Sequence, residues 1–351
     1  MRYSEINFLK AFLVTGMFFR HFPLYMSNSL RFREYGVDAI NPFTASIPVT
    51  GGFISVLALS LALSKSAFSE NRIYSDNEFS GSGREISSKF NRLKYLKRFA
   101  PLFIISVLAG YFSLRHMDAG TFIRHFFTYQ WNTLQKPGFY ILFPISLVYL
   151  FHHFYVRLNK KQSLIALFAA VPVSIFLHKY YFAHYFLFAL LQYCIVFFSP
   201  GFIRNFQSFL SAAFVRASFP VITVVSYVLL IRLFQYGPGT INPDINIMQE
   251  LALYSVFQFM IFSYTPFLEK NRFTVHAAEY MARRIFVIYI GHVMALSLFK
   301  NRLIINHHVL VYVSAILFTV VFVALLYIAE KYFSHVFNIL KFHFKNKIVR
   351  G

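Results

Sequence analysis

Residues 6–27 read INFLKAFLVTGMFFRHFPLYMS. The run is apolar apart from a few positions, and its only basic side chains are Lys10, Arg20 and His21. Its 22 residues suffice for one helix to cross about 30 Å of hydrocarbon at about 1.5 Å per residue. Inside lipid the backbone has no solvent partner for its N–H and C=O groups, so such a run must be helical. The reading of this segment decides the rest, because similar runs recur along the chain.

Further candidate spans fall at 43–64, 99–115, 138–156, 163–178, 183–200, 218–235, 250–268, 285–300 and 309–330. The fold expected is an all-α, polytopic integral membrane bundle of about ten transmembrane helices. Composition agrees. Of the 351 residues, 57% are apolar, 20% aromatic and only 13% charged, against about 25% charged in a soluble domain. A soluble core of this size has no room for so much Phe and Leu. The organisation expected is one membrane domain over 1–335, interrupted by a flexible cytoplasmic loop at 66–91, and a basic tail over 336–351. The loop, SAFSENRIYSDNEFSGSGREISSKFN, is rich in Ser, Asn, Glu and Gly.

The net charge is +21. Its cations sit in short clusters between apolar runs, which excludes the single basic face of a nucleic-acid binder. The clusters instead set topology and meet anionic lipid. With the N-terminus placed in the cytoplasm, inside segments carry 24 Lys and Arg and outside loops carry 8; Arg20 and Arg232 lie within spans. The threefold bias supports that orientation and an even number of spans, which returns the C-terminus to the cytoplasm. The expected location is a bacterial inner membrane, with the first apolar run retained, since no small-residue cleavage site follows it.

Titratable groups within a bilayer are costly and point to function. Lys10 and His21 are eleven residues apart, which is about three full turns, so they share one helix face roughly 16 Å apart along the axis. Such a stripe lines a pocket or a path; alternatively, each end snorkels to its own headgroup layer. His21 suits a general base, because imidazole titrates near neutral pH. His292, in VIYIGHVMAL, either lines a pocket or bonds a neighbouring helix. Arg92, Lys94, Lys97 and Arg98 precede Phe99-Ala100-Pro101. They are a topology signal, and also a set of cationic donors at a helix start that suits a diphosphate or phosphoadenosine group.

Other chemistries lack their residues. Cys194 is the single cysteine, so there is neither an internal disulfide nor a Cys-rich metal site. No glycine-rich strand-to-helix turn announces a nucleotide fold. His21 is followed by Phe22, Pro23, Leu24, Tyr25 and Met26, not by the acid of the soluble acyltransferase pattern. Paired carboxylates within a span are lacking, so no metal is expected.

Four patches, in order, resemble the membrane acyltransferase-3 family, whose members O-acylate surface polysaccharides and lipids. INFLKAFLVTGMFFRHF is similar to the family's opening helix, with Lys10 and His21 at its basic-to-His spacing. YLKRFAP resembles the basic stretch before a Pro, matched by Lys94, Arg98 and Pro101. WNTLQKPGFYILFP matches a Trp to Phe-Tyr and Pro segment at Trp131, Phe139, Tyr140 and Pro144. IFVIYIGHV matches the late Tyr-x-x-His at Tyr289 and His292. Three features depart from the family pattern. Lys10 stands for the usual Arg, and Lys136 stands where many members have Glu. TGGFISVLALS is only loosely similar to the second span.

The resemblance implies an O-acetyltransferase. Acetyl-CoA would bind from the cytoplasm with Lys94, Lys97 and Arg98 near its phosphates. His21, supported by Lys10 and His292, would activate the acceptor hydroxyl or relay the acyl group. The acceptor would be a surface glycan or a lipid-linked glycan. The alternatives from other classes are a transporter of a polar or lipid-linked glycan and a membrane assembly partner without chemistry.

Overall fold

The computed structural model describes residues 4–26, 49–75, 94–114, 118–121, 142–177, 181–233, 247–285, 288, 291–292, 295–296, 313–325, 327–328 and 332. Helices α1 (Ser4–Met26), α2 (Val49–Ser75), α3 (Lys94–Leu114), α4 (Leu142–Tyr155) and α5 (Lys160–Phe176) come first. Then follow α6 (Tyr181–Phe198), α7 (Phe202–Leu210), α8 (Ala213–Leu233), α9 (Ile247–Leu268) and α10 (Arg272–Arg283). A further apolar helix, α11, spans Val313–Leu325. No strand occurs among the described residues, and the all-helical class expected from the apolar runs is the one observed.

Two helices are long and apolar enough to cross a membrane, Ala213–Leu233 and Gln249–Leu268. A third candidate is the pair α6 and α7, bent by 76° at their break. Gly51–Lys65, Leu142–Tyr155 and Val313–Leu325 are apolar but shorter. Two features differ from the sequence reading. Helix α2 continues to Ser75, ten residues into the segment expected to be a loop. Helices α7 and α10 are separate short elements. An apolar-length criterion passes over them because each has a polar face.

Local chemistry explains several boundaries. Helix α5 begins with a capping box: the Gln162 amide donates to Asn159 Oδ1 at 2.9 Å, and the Asn159 amide donates to Gln162 Oε1 at 3.1 Å. The α4 C-terminus is closed from another helix. Lys65 Nζ of α2 donates to the carbonyls of Tyr155 (2.8 Å) and Leu158 (3.2 Å) and to Ser163 Oγ (2.6 Å). That places a cation on carbonyls left over at a helix end, where the macrodipole favours it. Pro266 within α9 lacks an N–H, so the Phe262 carbonyl one turn earlier loses its helical donor. Gln207 Nε2 of α7 fills the vacancy at 3.3 Å.

Helix α2 is the centre of the packing, against α6, α1 and α4; α1 also packs on α9 and α10, α3 on α4, and α8 on α9. Two adjacent glycines make this approach possible. A Cβ on Gly51 would lie 2.6 Å from the Phe188 ring, and one on Gly52 would lie 2.5 Å from Leu13 Cδ2. The interior holds polar groups as well as Leu and Phe: His152, Gln192 and His292 are at most 1% exposed. The outside is the reverse. Phe176 and Phe214 are 81% and 82% exposed, and Ile165, Phe168, Leu229, Leu233, Leu317 and Val321 also point outward. Apolar faces of this extent mark contact with something other than water.

Candidate functional site

Helix α1 is continuous through both position 10 and position 21. Ile6, Leu13, Val14 and Met17, which flank Lys10 on its side of the helix, are all buried, whereas Phe12 and Thr15 on the opposite side are exposed. Lys10 itself is half-buried. The Lys10 side of α1 therefore faces protein. Position 21 falls about 20° round the helix from position 10; the His21 side chain lies outside the described residues.

The cations at the start of α3 are spread. Lys97 and Arg98 are exposed, and the Lys94 side chain lies outside the described residues. The Arg98 guanidinium is 5.8 Å from the centroid of the Tyr149 ring of α4, within cation–π range. Between them Tyr95 turns inward, its ring edge-on to His152 with centroids 4.5 Å apart. His152 Nδ1 and the Tyr193 hydroxyl of α6 are 2.8 Å apart. His152 Nε2 has no hydrogen-bond partner among the described residues. The basic end of α3 thus sits beside a buried imidazole–phenol pair and the Lys65 clamp.

His292 is buried, and its Nδ1 lies 3.2 Å from the Ile288 carbonyl one turn back. No hydrogen bond or ion pair among the described residues joins Lys10 to His292 or to Arg98. Trp131, Lys136, Phe139, Tyr140 and Tyr289 lie outside the described residues.

One set of polar residues was not anticipated. His184 Nε2 and Glu250 Oε2 are 2.8 Å apart. Phe188 and Tyr254 meet edge-on at 6.0 Å. Gln192 and Gln258 exchange two amide hydrogen bonds at 3.4 and 3.3 Å. Each pair is separated by 66 residues. A constant difference, at successive turns, means that α6 and α9 run parallel and in register. The sequence carries half of this signal, HxxxFxxxQ at 184–192 and ExxxYxxxQ at 250–258, polar residues on one face of two apolar runs. The pairing itself is a tertiary fact, invisible to periodicity.

Depth follows from the same contacts. Gly51 and Gly52 fix Phe188, Leu13 and Tyr254 at one level. His184 is one turn, about 6 Å, along α6 from Phe188. On α1, about 6 Å beyond Leu13 toward Met26 is the level of Met17. The His184–Glu250 pair thus lies at a depth between positions 10 and 21.

The geometry defines the class: an all-helical bundle with helices able to span a membrane, apolar outside and carrying titratable pairs within. Beyond that class, the chain matches no known protein family, no curated protein and no solved structure.

Proposed function

We propose that this chain is an integral membrane O-acyltransferase that passes acetyl from acetyl-CoA to a hydroxyl of a cell-surface glycan. The observation that carries the reading is the inward side of α1. A lysine held in the protein-facing side of an apolar helix is costly and persists where a reaction or ligand uses it. If Lys10 only snorkelled to headgroups, it would have no need of buried neighbours on both sides.

Helix directions support the ten-span topology. Helices α6 and α9 run parallel, which requires an odd number of crossings between them; α8 supplies one, and nine-residue α7, about 14 Å long, is too short to add another. Glu5 at the start of α1 lies close enough to Glu269, just past α9, for their charges to interact. That makes α1 and α9 antiparallel, as six intervening spans demand. The basic ends of α2, α3 and α5 then fall together on the cytoplasmic side. In this orientation Lys94, Lys97 and Arg98 offer the phosphates of acetyl-CoA cationic donors at the inner surface. His21 lies toward the outer surface, where it activates the acceptor or carries the acyl group across.

Mass spectrometry of the host's surface glycans tests this. Deleting the protein removes about 42 Da per modified residue, the mass of one acetyl substitution. Glycans of unchanged mass contradict the reading.

A second reading, transport of a polar or lipid-linked glycan, is favoured by the broken α6–α7 pair, since interrupted helices are common in transporters. It predicts substrate flux without acetyl incorporation.

A further inference from the structure

The His184–Glu250 pair has the geometry of an acid–base dyad. A carboxylate oxygen lies 2.8 Å from Nε2 of the imidazole. That contact fixes the orientation of the ring, as a third group orients the base in nucleophile–base constellations generally. The opposite nitrogen, Nδ1, has no hydrogen-bond partner among the described residues. The two side chains keep 15% and 14% of their exposure, whereas Gln192 and Gln258, two turns along the same seam, are 1% and 5% exposed. The seam is therefore sealed at its amide pair and partly accessible at its ionisable pair. A pair that served only to pin α6 to α9 has no need of access, and the two glutamines already pin them. The rings of Tyr185 and Phe188, with centroids 5.0 and 5.9 Å from the His184 ring, hold it from the α6 side.

We infer that His184, oriented by Glu250, is the general base that takes the proton from the acceptor hydroxyl. The inference rests on the acyltransferase reading and completes it. The acceptor oxygen bonds the acetyl carbonyl carbon while its O–H bond breaks and the proton passes to Nδ1. The bond from the acetyl carbon to its carrier then breaks, and the proton goes on to the leaving carrier. His184 lies at the depth between Lys10 and His21, so a base there leaves His21 free to carry the acetyl group. Glu250 is a positioning residue, acting through the imidazole.

The experiment uses the full chain in lipid nanodiscs, in two arms. In the first, diethyl pyrocarbonate is applied and histidine carbethoxylation is mapped by peptide mass spectrometry, a readout independent of turnover. Wild-type His184 is modified. In the second arm, acetyl transfer to native glycan is measured. H184Q lowers kcat by about 100-fold or more, in line with the loss of a general base, and leaves KM for acetyl-CoA unchanged. E250Q lowers kcat less, and E250D restores part of it. A His184 that resists the reagent in folded protein overturns the proposal, as does H184Q protein that folds and transfers acetyl normally. Wild-type protein that transfers no acetyl overturns the acyltransferase reading itself, and the base role with it.

Discussion

Gln192 and Gln258 show what single side chains do in this interior. Each amide donates to the other's carbonyl oxygen, so both are satisfied only as a pair. Replacing one by Leu leaves a buried amide without its partner and costs about 1–3 kcal/mol, whereas replacing both is close to neutral. A double-mutant cycle on thermal unfolding in detergent reads this directly: each single variant melts lower, and Q192L/Q258L recovers most of the loss. Additive losses would mean that the two amides are not coupled. The residues proposed for chemistry were unequally legible. Lys10 and His21 declare themselves because basic groups in an apolar run are rare and their spacing is a whole number of turns. His184 and Glu250 each look like one polar residue near the end of a span, and only the parallel register of α6 and α9 makes them a pair. His152 is hidden for the same reason, its hydroxyl partner being on another helix.

Among the elements, close helix approach depends on position 51. A valine there would drive a Cβ to within 2.6 Å of the Phe188 ring, with two further carbons beyond it. Overpacking of this kind costs about 1–3 kcal/mol. Gly201, between α6 and α7, is the control: a Cβ there meets nothing nearer than Asn205 Oδ1 at 3.6 Å. G51V is expected to melt well below wild type, and G201A within about 0.5 kcal/mol of it. Equal effects would contradict the central packing of α2. The helices were legible where apolar length alone decides them, as in α1, α6, α8 and α9. The continuation of α2 to Ser75 was not, because a helix satisfies its own backbone in water as well as in lipid and need not stop where the apolar run does. Nor were α7 and α10, whose polar faces mask them from a length criterion.

At the scale of the whole molecule, the proposed topology places both termini and the start of α3 in the cytoplasm. Cys194 is the single cysteine, so a C194S background admits one reporter cysteine at a time. Reporters at positions 97 and 161 are expected to resist a membrane-impermeant maleimide in intact cells, and one at position 179 is expected to react. Labelling at 97 would invert the bundle and put the proposed donor clamp on the wrong side. Inside that bundle the polar seam and the Lys10 side of α1 lie at overlapping depth, as the proposed transfer from an inner donor to an outer acceptor requires.

The central claim is that the inward side of α1 performs acetyl transfer. The direct test is incorporation of labelled acetyl from acetyl-CoA into native glycan by membranes containing wild type or H21A at equal abundance. Wild-type membranes are expected to label the glycan, and H21A membranes to fall by about 100-fold or more. Label incorporation that is the same in both would contradict the account.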